Sequence, residues 1–415
     1  MAKPFLLFQA PVATRSGYGE HSRDLLHSLI AMDRYDIRVI STRWGSTPMN
    51  ALDYAVPSDK KIVDLLLSEQ LNRQPDIFIQ VTVPNEFNPI GKFNIGITAG
   101  IETTNCAPNW LEGINRMDLN IVPSNFSKEI FVKCAYGKVD TKTNRQIGEL
   151  RLEKPMEVLF EGVDTTQYGK DSQGNPVQGM DEELAKVLDA IPEDYCFLFV
   201  GHWLKGDLGE DRKNVGMLVQ TFFTIFQNHP KPPALVLKCN AGTFSVMDRE
   251  EVLHRIRTVR EKFDGNIPNV YLLHGDLSTA QMNGLYNHPK VKTHVTFTKG
   301  EGFGRPLLEA SLSGKPIIAT NWSGHLDFLN PTLTTLLPGE LKQVHPSAAD
   351  DFILREAKWF NVSMSHAAVK LNELFVKYDD HLSNARKLML ANKTTYSLDE
   401  MKLKFEEILD KYIKI

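Results

Sequence analysis

Cysteine is scarce. The four in this chain, Cys106, Cys134, Cys196 and Cys239, lie far apart in sequence and form no CxxC pair. That argues against a disulfide framework and against a thiolate zinc site, and fits reduced, buried thiols. Histidines are scattered too, with no HxH or HxxxH spacing to nominate a ligand set. Long apolar runs are missing. FLLF near the N-terminus is too short for a signal peptide, and no later segment approaches membrane-spanning length. The expected location is the cytoplasm. An excess of one charge is missing as well. Lys and Arg total 47 against 51 Asp and Glu, a net charge of -4. No global field therefore draws the chain to nucleic acid or an anionic membrane, and any such binding must rest on a local patch. No short internal repeat or low-complexity tract is present.

What remains is an ordinary globular composition over 415 residues, enough for two domains with sizeable cores. PFLLFQAP reads as a buried strand, ATRSGYG as a loop, and EHSRDLLHSLIAM as an amphipathic helix with Leu25, Leu26, Leu29 and Ile30 on one face. YDIRVIS, DIFIQVTV, FNIGITAG and LNIVPS are further apolar runs with intervening helices or loops, the pattern of a parallel sheet covered on both faces. A second series begins at YCFLFVGHW. It continues through the helix VGMLVQTFFTIF and the strands PALVLKCN, NVYLLHGD, THVTFTKG and PIIATNW. The expected class is α/β with two Rossmann-like, doubly wound domains.

DSQGNPVQG, Asp171 to Gly179, has the Gly, Pro and polar content of a loop or linker, and the expected domains are 1–180 and 181–390 with a terminal helix at 391–415. After Asp351 the sequence turns helical. MKLKFEEILDKYI spaces Leu403, Phe405, Ile408, Leu409 and Tyr412 for one buried face.

The segment richest in chemistry is KGEGFGRPLLEA, Lys299 to Ala310, which sets Glu301 and Glu309 eight positions apart across a glycine-rich turn. HVTFT leads in as a strand, Gly300, Gly302 and Gly304 permit a tight fold, and Pro306 fits a first helical position. The amides around Gly302, Phe303 and Gly304 and the positive end of such a helix suit a diphosphate. Glu309, read as lying in the first turn, can accept hydrogen bonds from a ribose diol, and Glu301 then faces whatever the phosphate carries.

This spacing resembles the E-x7-E motif of the retaining family-four glycosyltransferases, and LSGKPIIATNWSG, Leu312 to Gly324, resembles the family's helix, Gly-Lys-Pro turn and next strand. The resemblance implies the GT-B fold, two Rossmann-like domains facing across a cleft, with the C-terminal helix crossing back to the first domain. It implies that Ser323 and Gly324 end a loop lining the donor site. It also implies that Arg212 and Lys213, just before a helix in GEDRKNVGMLVQTF, grip the pyrophosphate of a UDP-sugar. Family members often carry GR after the preceding strand, where this chain has Gly201 and His202 followed by a longer loop. Phosphate neutralisation then leans on Lys213 or uses His202.

In SGYGEHSR, Gly17 and Gly19 precede a helix and let amides approach donor phosphates, but the third glycine of a dinucleotide fingerprint is missing. His21 either faces the cleft or packs on its own helix. Glu102, in ITAGIETTN, stands where the resembling enzymes often carry a histidine near the reacting sugar. It hydrogen-bonds acceptor or sugar, or caps the following helix. There is no Asp-x-Asp, the arrangement with which other glycosyltransferases hold a metal on the diphosphate. Neither metal nor other cofactor is expected.

The reading is a retaining hexosyl- or pentosyltransferase, with Glu301, Lys213, Arg212 and Glu102 as candidate catalytic groups. Rivals are an epimerase or phosphorylase on the same fold, or a catalytically idle sugar-nucleotide binding module. TVPNEFNP, NIGITAGIETT and NWSGHLDFLNP resemble glycosyltransferases of T-even-type phages that decorate hydroxymethylcytosine, which implies a double-stranded DNA acceptor and glucosyl or arabinosyl transfer. Residues 128–154 hold seven basic against four acidic side chains. Lys138, Lys142, Arg145 and Arg151 are the candidate DNA contacts, or the stretch is a solvated hairpin. A surface glycan, lipid or small molecule remains open as acceptor.

Overall fold

The computed structural model describes residues 3–140, 142–143 and 145–414. The chain forms two compact units: Met1–Ile101 with Asn105–Gly162 and Leu398–Ile415, and Glu102–Thr104 with Val163–Ser397.

The first unit is built on β1 (Phe5–Ala10), β2 (Asp36–Ser41), β3 (Ile77–Val81), β4 (Phe93–Ile97) and β5 (Leu119–Val122). After the antiparallel hairpin of β6 (Tyr136–Asp140) and β7 (Arg145–Leu150), β8 (Met156–Val158) completes the sheet. All six pair in parallel, in the order β2-β1-β3-β4-β5-β8. Near-continuous apolar strands of this kind need cover on both faces. The helix Gly17–Met32 supplies Leu25, Leu26 and Leu29, and the C-terminal helix Leu398–Tyr412 supplies Met401, Phe405, Ile408 and Leu409 to the same core. Leu403, expected on that face, is 52% exposed and Met401 takes its place. Positions 401, 405, 408 and 409 follow the i, i+4, i+7, i+8 stripe, and 403 falls off it.

The second unit repeats the plan with β9 (Cys196–His202), β10 (Ala234–Asn240), β11 (Val270–Leu273), β12 (Val291–Val295), β13 (Ile317–Thr320) and β14 (Thr335–Leu337). These pair in parallel in the order β11-β10-β9-β12-β13-β14. Phe197, Phe199, Phe222, Phe223 and Phe226 give its core a strongly aromatic filling. The stretch after Asp351 is not helical at once. β16 (Lys358–Val362) first pairs antiparallel with β15 (Gly339–Gln343), burying Trp359 and Val362. Every residue of GELKQ is exposed, so no apolar pattern announced β15.

The stretch expected as a loop or linker, Asp171 to Gly179, lies inside the second unit; the chain crosses between units at 162–163. It is a docked turn. The Asp171 carboxylate accepts the amides of Gln173 and Asn175, each at 2.9 Å, and the Gly169 amide donates to Asn283 Oδ1 at 2.8 Å. All four cysteines are free and buried. Cys106 and Cys134, distant in sequence, meet in space, the Cys106 amide donating to the Cys134 Sγ at 3.4 Å. Among the described residues no helix is long and apolar enough to cross a membrane.

Candidate active site

In an open parallel sheet the place where strand order reverses leaves a crevice at the carboxyl ends of the strands. In the second unit that place is between β9 and β12, neighbours that the chain visits far apart. Arg212 and Lys213 follow β9, and Glu301 follows β12, so the topology alone brings them to one edge.

The turn after β12 is held by close backbone approach. A Cβ at Gly300 would stand 2.0 Å from the Glu102 carbonyl oxygen, and one at Gly324 would stand 2.0 Å from that of Gly302. The Gly324 amide donates to Glu301 O at 3.0 Å, and the Glu301 amide to Ser323 Oγ at 2.9 Å. Ser323 holds φ at +83°, a conformation costly for a residue with a Cβ. Gly304 caps the helix Arg305–Ser311 with φ at +96°. Arg305 therefore occupies the first helical position and Pro306 the second, and Glu309 falls in the second turn, not the first.

Glu301 is buried, its Oε1 2.5 Å from Lys213 Nζ and its Oε2 3.4 Å from an Arg212 nitrogen. Arg212 also donates to Gly300 O at 3.0 Å and lies 3.7 Å from Glu102 Oε1. Two carboxylates and two cations thus form one cluster, with Glu301 and Lys213 buried and Arg212 and Glu102 partly so. Burial pushes the Glu301 carboxyl up, but Lys213 and Arg212 overcome it and hold the group down to about 2. Burial likewise raises Glu102, against the attraction of Arg212. Glu102 does not cap the following helix, which begins at Pro108 after Ala107.

Glu309 stands in a second network. Its Oε1 accepts from Arg305 Nε at 3.1 Å, and its Oε2 from the Tyr286 hydroxyl at 3.1 Å. Phe303 packs its ring on Phe328 at 5.0 Å between centroids, so only its backbone is left for a ligand. His202, at the end of β9, pairs Nδ1 with Asn240 Oδ1 at 2.6 Å.

The remaining candidates belong to the first unit. Gly17 opens its helix with nothing within 4 Å of the point a Cβ would occupy, whereas a Cβ at Gly19 would meet the Thr14 carbonyl at 2.3 Å. The Gly19 amide donates to the capping Ser16 Oγ at 3.0 Å. Gly19 is thus needed for packing against Thr14, and its amide is engaged by the helix cap. His21 is buried. Lys138, Lys142, Arg145 and Arg151 are exposed on or beside the hairpin β6–β7. Arg151 is paired with Glu149, at 2.6 and 3.0 Å.

Sequence reasoning missed Arg305, Tyr286 and Asp211. The first is a helical i, i+4 partner of Glu309 and was legible in principle; Tyr286 comes from another helix with no local signal. Asp211 is buried and accepts the Val215 amide at 3.2 Å, tethering the start of the helix Val215–Phe226 beside Arg212 and Lys213. Burial raises its carboxyl to about 6 from an ordinary 3.8. The unfolded chain ionises at the lower value, so the penalty is full above pH 6, fades as pH falls, and is gone below 3.8. Asp211→Asn is expected to be more stable than the parent at pH 8 by on the order of 2–3 kcal/mol. Urea midpoints at pH 8, 6 and 4 check this: the advantage should close towards pH 4, and a constant difference would contradict the assignment.

By sequence, neither a protein-family model nor a curated protein matches the chain. Among solved structures, Anabaena HepE in complex with UDP-glucose is similar with a TM-score of 0.59 at 14% identity, over 98% of this chain and 100% of that one. A glycosyltransferase from Rickettsia africae gives 0.61 at 14% identity, covering 100% of both. Sucrose-phosphate synthase from Thermosynechococcus elongatus gives 0.61 at 11% identity, covering 99% of both. At such identities the likeness speaks to architecture alone, and with its two six-stranded parallel sheets the chain has the GT-B fold.

Proposed function

We propose that this protein is a retaining glycosyltransferase that moves a sugar from a nucleoside diphosphate donor, a UDP-sugar, to an acceptor hydroxyl. The observation that carries the reading is the buried Lys213 and the partly buried Arg212 converging on Glu301 at the switch point of the second sheet. Negative charge develops on the leaving diphosphate as the sugar bond breaks, and fixed cations in a water-poor site stabilise it. Similar folds that hold UDP-glucose support the choice of donor.

In this reading Lys213 and Arg212 hold the diphosphate, Glu301 the sugar hydroxyls, and Glu309 the ribose diol. The backbone at 302–304, with Ser323 and Gly324, shapes the donor cradle. The anomeric carbon loses its bond to the β-phosphate oxygen, which departs with the electron pair, and gains one to the acceptor oxygen on the same face. The acceptor proton passes to the departing phosphate. Full activity in excess chelator is expected, because the chain has no Asp-x-Asp and the cations do a metal's work. The product should keep the donor's anomeric configuration. Activity restored only by added magnesium or manganese would refute the first expectation, and an inverted product by NMR the second. Donor that binds but is neither transferred nor hydrolysed would mark an idle binding module.

For the acceptor we propose hydroxymethylated cytosine in DNA. The likeness of TVPNEFNP, NIGITAGIETT and NWSGHLDFLNP supports it, and the exposed Lys138, Lys142 and Arg145 are available for phosphate contacts. Arg151, already paired, is the weakest of the four nominated contacts. Reversing Lys138, Lys142 and Arg145 should raise KM for DNA and flatten its salt dependence while leaving donor binding intact. Weighing nucleosides from hydroxymethylated and plain DNA after incubation decides the matter. No added pentose or hexose mass with a donor that binds would point to a glycan, lipid or small-molecule acceptor.

A further inference from the structure

The second unit carries two adjoining cavities away from the Glu301 cluster, of about 240 and 410 Å³, which share Lys170 and Met389. They lie at the other end of β13: Ser313, Gly314 and Lys315 line the smaller and run into the strand's start, whereas Ser323 and Gly324 follow its end.

Their walls are cationic. Lys170, Lys315 and Arg386 line the smaller cavity, and Lys170 and Lys393 the larger. Asp171 is the one carboxylate among the described lining residues, and its Oδ1 is engaged by the amides of its own turn. No ion pair among the described residues involves any of the four cations. Lys315 is buried with its ammonium on two carbonyl oxygens, those of Tyr286 at 2.9 Å and His288 at 2.7 Å. Burial and then Lys170 push that ammonium well below its ordinary range. Burial and then Arg386 likewise push Lys170 down. Like charges converging on an enclosed space without a counter-charge destabilise the empty protein, and an anion seated there reverses the sign of that interaction.

We propose that the two cavities form a second ligand site, one for a small phosphate monoester. Lys170, Lys315 and Arg386 take the phosphate, whose dianion matches an Arg fork flanked by point charges. The larger cavity, walled by Val177, Leu312 and Leu390, takes the body that the phosphate carries. Inorganic phosphate fills only the first part, so a hexose monophosphate should bind more tightly.

This site shares no residue with the donor site and does not rest on it. Calorimetric titration of inorganic phosphate and of a hexose monophosphate, with parallel thermal melts, tests it on the wild type and on a Lys170→Ala, Arg386→Ala double variant. Both side chains are at least partly exposed, so folding should be kept, and in phosphate-free buffer the double variant should melt no lower than wild type. The expected result is binding to the wild type that weakens on the order of tenfold or more in the variant. Unchanged affinity in the variant, or no binding of either probe to the wild type, would overturn the proposal.

Discussion

Lys213→Ala should lower kcat about 10²–10³-fold with a much smaller change in KM for the donor, because its ammonium acts where charge develops, not where the substrate already carries it. The structure sharpens the expectation. Lys213 Nζ lies 2.5 Å from Glu301, and Arg212 reaches the same carboxylate at 3.4 Å. Removing Lys213 leaves Glu301 buried with one cation in place of two, so a stability cost accompanies the kinetic one. Melting curves taken beside the rates separate them. Glu301→Ala should likewise act on kcat. Glu309→Ala, which removes the proposed ribose contact and frees Tyr286 and Arg305, should act chiefly on KM. Near-normal rates for all three variants would remove the proposed site.

Gly324→Ala is expected to damage both rate and stability. Its Cβ would sit 2.0 Å from Gly302 O and 2.9 Å from Glu301 O, and neither is a flexible side-chain end that can swing aside. The preceding residue, Ser323, is already at φ +83°, so the loop has little freedom to back away. The 300–304 turn must shift instead, carrying with it the Glu301 amide now held by Ser323 Oγ. Displacement of this size at a reacting centre costs about 10² in rate, and the overpacking costs about 1–3 kcal/mol in stability. Steady-state kinetics and urea midpoints on the purified variant give both numbers. A variant with wild-type kcat would show that this loop does not position Glu301.

Much of the architecture was legible because buried parallel strands are near-continuous apolar runs, and PFLLFQAP, DIFIQVTV, YCFLFVGHW and PALVLKCN each became one. The helix Val215–Phe226 coincides with the segment VGMLVQTFFTIF. What failed had a physical cause in each instance. GELKQ pairs as a strand with all its side chains in solvent, so period and hydropathy were silent. The turn at 171–179 has a composition that suits a loop or a linker alike, and which of the two it is rests on its base, where the Gly169 amide meets Asn283, a partner from another element.

At the candidate site, Glu301, Glu309, Arg212 and Lys213 were named from local motifs. Their mutual arrangement was not legible, because Lys213 meets Glu301 across 88 positions of sequence. That meeting exists only because β9 and β12 are neighbours. Gly19 carries a demand that its motif did not announce, the close approach of the Thr14 carbonyl and the cap of Ser16.

The central claim, that Lys213 and Arg212 form the seat of a donor diphosphate, is tested most directly by calorimetric titration of UDP and UDP-glucose. The proteins to compare are wild type, Lys213→Ala, and the Lys170→Ala, Arg386→Ala double variant. One molecule should bind per chain, with the affinity for UDP, which carries the charge that develops in the transition state, weakened on the order of tenfold or more by the loss of Lys213, the affinity for UDP-glucose weakened much less, and both kept in the double variant. Equal affinity for UDP with and without Lys213, in proteins shown to be folded, would contradict it.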